Sequence, residues 1–159
     1  MSAHPLRRDE RGLAGGIEGL VFGVLILLIG SLAIINIWAM IDTRAALDAA
    51  SREFLRTYTE QQSVGEARLM GEAAARESLR ARAARIEGLS FVVEQPDGFG
   101  PCSPVTVRIS ATVHWFKVPL LPGFGDSHLA VENRELIDAH TEVITDDLYD
   151  PANTACADG

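Results

Sequence analysis

Cys102 and Cys156 are the only cysteines of this chain and the one pair of side chains that could be joined covalently. Their spacing fits no metal motif, and neither stands in a nucleophile signature. In an oxidising compartment the inference is one disulfide. It would close a loop of about 55 residues and contribute roughly 4 kcal/mol on the chain-entropy model. The other reading keeps two unpaired thiols. Paired, the cysteines would pin the C-terminal tail back onto its domain.

The other chemistry-bearing residues are dispersed. His4, His114, His128 and His140 belong to different elements. His114 and His140 could meet on the polar face of neighbouring strands, but ordinary exposed histidines are the simpler reading. There is no Gly-x-Ser-x-Gly, no phosphate loop and no His-Glu-x-x-His. Carboxylates within 132–147 could bind calcium loosely, yet they lack the EF-hand pattern. The expectation is a protein that is not an enzyme and carries no metal or cofactor.

Charge narrows the partners. The net charge is −8, and the acidity is late: Glu132, Glu135, Asp138, Glu142, Asp146, Asp147, Asp150 and Asp158 face only Arg134. An acidic exterior argues against nucleic acid and against adhesion to anionic lipid. A solvated acidic surface is the simplest account. Lys117 is the single lysine among many arginines and alanines, a bias that fits a GC-rich bacterial genome.

What positions all of this is an apolar run, Ile17–Ile41, interrupted by the strongly polar Glu18 and Asn36. As a helix it spans roughly 37 Å, enough to cross a bilayer with some tilt. A cleaved secretory signal would have a shorter apolar core followed by a small-x-small site. Here the bulky Trp38-Ala39-Met40-Ile41-Asp42 follows instead, so a retained single-pass anchor is expected. Arg7, Arg8 and Arg11 precede the run while Arg44, Arg52 and Arg56 follow it, so basic residues barely orient it. A short head kept inside, with the cysteines outside, is the orientation that suits both ends. Trp38 reads as an interfacial anchor at the outer boundary.

The predicted fold class is α+β, and four segments follow from it. Residues 1–11 form a charged cytoplasmic head. Residues 12–62 form the transmembrane helix and its continuation outside the membrane, where Ala45, Ala46, Leu47, Ala49, Ala50, Phe54, Leu55 and Tyr58 keep helix propensity and an apolar stripe. Residues 63–145 form an extracytoplasmic α+β domain, and 146–159 an acidic irregular tail. Within the domain, Ser63 and Glu66 make a capping box that opens a second helix over 64–87, stopped by Gly88. Its Glu72, Arg76, Glu77, Arg80 and Arg85 form a solvated charged face.

Beyond Gly88 the period changes from 3.6 to 2. Leu89, Phe91 and Val93 alternate with Ser90 and Glu94 in a first strand. Pro96-Asp97-Gly98-Phe99-Gly100-Pro101 is a loop. Val105, Val107, Ile109, Ala111, Val113 and Trp115 then share one face of the clearest strand. An apolar proline-glycine loop over 116–125 follows, then a short strand at 128–132. A last strand is expected where Ile137, Ala139, Thr141 and Val143 alternate with polar residues. These strands make a small antiparallel sheet, with the second helix as cover for its buried face.

The anchor also carries a pattern of its own. At 100° per residue, Gly12, Gly15, Gly16, Gly19, Gly23 and Gly30 fall within an arc of about 100°. Gly15-x-x-x-Gly19-x-x-x-Gly23 doubles the small-x-x-x-small pattern that lets membrane helices pack closely. Glycine lowers helix stability by up to about 1 kcal/mol against alanine, so a packing partner is the preferred reading over mere composition. Glu18 and Asn36 share one angular position away from this arc. Glu18 either snorkels to the headgroups or pairs with a positive group on a neighbouring helix, such as a free amine.

A basic head, Arg11-Gly12, the small-residue stretch Leu13-Ala14-Gly15-Gly16-Ile17-Glu18 and the segment from Asp42 to Glu53 resemble class III signal-peptide pilins. More specifically, the chain resembles the TadE-like minor pilins, or pseudopilins, of tight-adherence (Flp-type) pilus systems. The strand Val105–Phe116 with its Pro-Leu-Leu-Pro-Gly loop fits the family's C-terminal part. The resemblance implies a pilin-like fold in the cytoplasmic membrane and a role in assembly or initiation of a pilus or secretion pseudopilus. The implied partners are other pilins, the assembly platform and membrane lipid. It further implies a prepilin peptidase that cuts between Gly12 and Leu13. One departure stands out: the family's glutamate is fifth after the cut, whereas Glu18 would be sixth, and Gly19 takes the place of the usual aromatic. An uncut adaptor that stays in the membrane, and an anchored extracytoplasmic binding module unrelated to pili, are the alternatives.

Overall fold

The computed structural model describes residues 11–82, 86–113, 127–140 and 142–156. The head with His4, Arg7 and Arg8, Arg85, the strand end at His114–Phe116 with its loop, Thr141 and Asp158 lie outside the described residues. Helix α1 spans Arg11–Thr59 and α2 spans Val64–Arg82. Strands β1 (Ile86–Glu94), β2 (Pro104–Val113) and β3 (Ser127–Leu136) follow, with a 3-10 turn at Pro151–Asn153. The architecture is therefore the expected α+β class. By compactness the chain divides into two units, one up to Trp38 and one from Ala39 onward.

In the second unit the strands form one antiparallel sheet in the order β1-β2-β3. Ile109 stands opposite Phe91 on one side and Val131 on the other, and Arg108 opposite Val92 and Glu132. Because side chains alternate across a strand, Val105, Val107, Ile109 and Ala111 are buried while Thr106, Arg108, Ser110 and Thr112 face outward.

The buried face is covered chiefly by α1. Ala46, Leu47, Ala50, Phe54, Leu55 and Tyr58 recur at three- and four-residue spacing, and all are buried. Phe54 stacks on Phe91 with centroids 6.0 Å apart and on Tyr58 at 5.6 Å. The expectation that the second helix is the cover of the sheet is thus corrected: α2 adds Ala67, Ala75 and Leu79 to a core led by α1. The two helices approach closely at Gly71, where a methyl group would come within 3.1 Å of the Phe54 ring.

Polar side chains set the register of α1 on the sheet. Ser51 lies within the apolar stripe with no exposure, and its hydroxyl accepts a hydrogen bond from Asn133 of β3 while donating to the Asp48 carbonyl. Asn133 also donates to the Asp48 carboxylate at 2.9 Å. Tyr58 donates to Gln95, just past β1, at 2.8 Å. Each of these bonds satisfies groups that burial would otherwise penalise.

Two predicted boundaries are corrected. The second helix stops at Arg82 and not at 87, because Ile86 and Glu87 are already paired with Val113 and Thr112 in the sheet. Gly88 lies within β1 at φ +62°, where the register shifts between Glu87 and Ser90. Only a residue without a Cβ adopts that conformation readily, so the glycine makes a bulge instead of a helix stop. At the start of α2 the N-cap half of the expected capping box forms, with the Glu66 amide donating to Ser63 Oγ at 3.4 Å.

The second correction concerns the last strand, which is Ser127–Leu136 and longer than the expected 128–132. None of the described residues of 137–143 is in a strand. The backbone of Ile137 bonds Ser103 and Cys102, and the Asp138 carboxylate accepts from the His140 amide, turning the chain away from the sheet.

Removing the Phe54 ring should leave a cavity at the crossing of α1, α2 and β1. Phe54→Ala is expected to lower the unfolding free energy by about 3–5 kcal/mol, measured by urea unfolding of the full chain in detergent micelles. Glu72→Gln, which breaks only the surface pair with Arg76, should shift it by less than about 1 kcal/mol.

Candidate functional site

Among the described residues α1 is the one helix long and apolar enough to cross a membrane. Leu20, Phe22, Ile26, Leu27, Ile34, Ile37 and Ile41 are each more than half exposed. Full burial of one such side chain is worth roughly 1.5–3 kcal/mol, so a row of them in water is strongly unfavourable. The backbone groups of the segment bond within the helix, which is what a lipid interior requires. Its small polar side chains fold back in the same way. Ser31 Oγ donates to the Leu27 carbonyl at 2.7 Å, and Asn36 Nδ2 to the Leu32 carbonyl at 3.0 Å.

The glycines of the arc are all inside this helix. Gly12, Gly15 and Gly16 lie in its first two turns, so the expected cleavage site at Gly12 and Leu13 falls in helical backbone. A methyl group placed on Gly19, Gly23 or Gly30 would meet nothing within 4 Å. Their shared face is open at these three positions, with Ile26 projecting from the same arc between Gly23 and Gly30. Glu18 is exposed, as is Trp38, whereas Asn36 is buried at 7 % exposure. Glu18 and Asn36 share an angle on an ideal helix but not a setting, one being exposed and the other buried.

The cysteines do meet. Cys102 and Cys156 form a disulfide with an S–S distance of 2.01 Å.

The outward side of the sheet holds contacts that the sequence reading did not find. Ser90 and Ser110 share a hydrogen bond at 2.7 Å, and Arg108 forms an ion pair with Glu132 at 2.6 Å. The hydrogen bond to Glu132 pushes the Arg108 pKa further up. Thr112 Oγ1 lies 3.1 Å from His128 Nδ1. Among the described residues His128 is the histidine placed on the polar face, while His140 is exposed in the turn after β3 and His114 lies outside the described residues. The signal was the alternation at 106–112, but its partners follow from the strand register, which residue spacing alone does not give. These rungs couple neighbouring strands. No group of three or more metal-ligating side chains assembles among the described residues.

The chain matches no protein-family model, no curated protein and no solved structure. The functional reading therefore stands on the geometry of α1 and on the motifs that precede and follow it.

Filling the glycine face tests that geometry directly. Gly19→Leu with Gly23→Leu should weaken association at least several-fold in a membrane two-hybrid assay, while membrane insertion stays unchanged. Unchanged association would leave these glycines as composition only.

Proposed function

We propose that this chain is a single-pass minor pilin or pseudopilin of the tight-adherence type, contributing to assembly or initiation of a pilus or secretion pseudopilus. One observation carries the reading. A single helix, α1, exposes an apolar segment with an open glycine face and, farther along, supplies Ala46 to Tyr58 as the buried spine of an α+β domain. That arrangement suits a subunit whose helix packs among like helices while its domain is displayed. The resemblance of residues 11–18 and 42–53 to TadE-like sequences points the same way.

In this proposal the N-terminus is cytoplasmic and the domain extracytoplasmic, which places the Cys102–Cys156 disulfide in an oxidising compartment. A prepilin peptidase removes residues 1–12, and with them Arg7, Arg8 and Arg11, leaving Leu13 first. The new amine then pairs with Glu18 of a neighbour, where low dielectric makes a stranded charge unfavourable and so favours one register. The sixth position of Glu18 after that cut is the feature that favours the second reading, an uncut adaptor retained in the membrane.

Intact-mass analysis of the protein from its native membrane separates the two. A mass beginning at Leu13 is expected of the pseudopilin, and one beginning at Met1 or Ser2 assigns the retained adaptor. In the processed case, Glu18→Ala should cut assembly into pili or pseudopili about tenfold or more while leaving the amount in the membrane unchanged.

A further inference from the structure

Residues 142–156 are held to the domain in a way that differs from the described elements before them. These residues contribute no strand and only one short 3-10 turn. Ile144 and Leu148 are about three-quarters exposed at 72 % and 73 %, which leaves Val143 and Tyr149 as the large side chains of the segment that pack. Few apolar contacts therefore fasten it. It is tied instead by single backbone bonds: Ile144 to the Gln62 carbonyl, Asp146 to the Phe99 carbonyl and Ala155 to the Cys102 carbonyl. The Tyr149 hydroxyl adds a bond to the Pro101 carbonyl at 3.2 Å. The disulfide is the one covalent tie.

What the segment covers is specific. Tyr149 lies directly against Gly100, and its backbone against Gly98, so closely that a methyl group at either glycine would overlap it. Between those glycines, Phe99 is wholly buried and meets Tyr58 edge-on at 5.8 Å. The segment thus closes the end of the core where α1 finishes. The disulfide that holds it is asymmetric: Cys102 is 5 % exposed and Cys156 is exposed.

We propose that residues 142–156 form a thiol-operated strap over Phe99, and that Cys156 is the sulfur through which a dithiol reductant opens it. The inference holds independently of the pilus reading. The attacking thiolate bonds Cys156 Sγ, the Cys102–Cys156 bond breaks, and Cys102 leaves as a thiolate. The second thiol of the reductant then displaces Cys156 from the mixed disulfide. Two electrons and two protons pass to the cysteine pair, and the reductant ends as its own disulfide. A monothiol stalls at the first stage, because the freed Cys102 thiolate attacks the mixed disulfide within the same chain and re-forms the original bond before a second monothiol displaces Cys156. Once open, the strap has too few contacts to stay down, whereas the three-stranded sheet keeps its hydrogen bonds.

Amide hydrogen exchange on the full chain in detergent micelles, with and without dithiothreitol, tests the strap. Reduction should speed exchange by about tenfold or more in 95–103 and 142–156 while 104–113 and 127–136 hold their protection. The Cys102→Ser/Cys156→Ser double variant should show the same pattern without reductant. Glutathione followed by alkylation and peptide mapping should place the glutathione adduct on Cys156 and the alkyl group on Cys102. Exchange that does not change, exchange that rises equally in the sheet, a double variant that does not fold, or an adduct on Cys102 would each overturn the proposal.

Discussion

Burial of one stripe of α1 against the sheet is the contact on which the rest of the domain depends. Residues 46, 47, 50, 54, 55 and 58 return to the same side of the helix every turn, and the inward residues of β2 meet them. Phe54 is the centre of this arrangement, since it touches α2 at Gly71, β1 at Phe91 and its own helix at Tyr58. Three elements that share one ring cannot be moved separately. This is why α2, whose own buried residues are mostly small, contributes a lid and not a second core.

Apolar contact alone would let α1 slide along the sheet by a turn, because the stripe repeats. The polar contacts remove that freedom. Ser51 and Asp48 bind Asn133 on one strand, and Tyr58 binds Gln95 beside another. A slip of one turn would separate these groups and leave buried donors without acceptors, at about 1–3 kcal/mol each. Directional bonds fix the position of a surface that dispersion and hydration hold in place. The bulge at Gly88 acts in the same sense on β1, since a register shift there sets which of its residues meet β2.

The elements with strong periodicity were legible in the sequence. The apolar run, the stripe from Ala46 to Tyr58 and the alternation from Val105 to Val113 each follow from residue spacing, and the cysteine pairing from composition and compartment. The misreadings fall where local pattern and long-range pairing disagree. Gly88 looked like a helix stop because glycine ends helices, but Ile86 and Glu87 had partners on β2 that no local window contains. Ile137–Val143 alternates like a strand, yet the Asp138 side chain bonds the His140 amide two residues on and bends the backbone. Asn36 was placed with Glu18 by helix angle, and angle says nothing of what lies beside a helix. The Thr112–His128 and Ser90–Ser110 contacts needed the strand register, which only pairing supplies.

The glycines of the chain divide into those with an evident use and those without. Gly71 admits the Phe54 ring, Gly88 takes a left-handed turn, and Gly98 and Gly100 admit Tyr149. In each case a larger residue would be strained or would strike a neighbour. Gly19, Gly23 and Gly30 meet nothing, as does Gly65 in the first turn of α2. A single open glycine is unremarkable at a helix end. Three in mid-helix, on one face and each up to about 1 kcal/mol less favourable than alanine, bring the isolated chain no packing in return. Open glycines on one face of an apolar helix are what the close approach of another helix uses, with backbone-to-backbone contact replacing side-chain interdigitation. Gly71, Gly88, Gly98 and Gly100 serve the packing of this domain, whereas a side chain at Gly19, Gly23 or Gly30 would meet nothing within 4 Å.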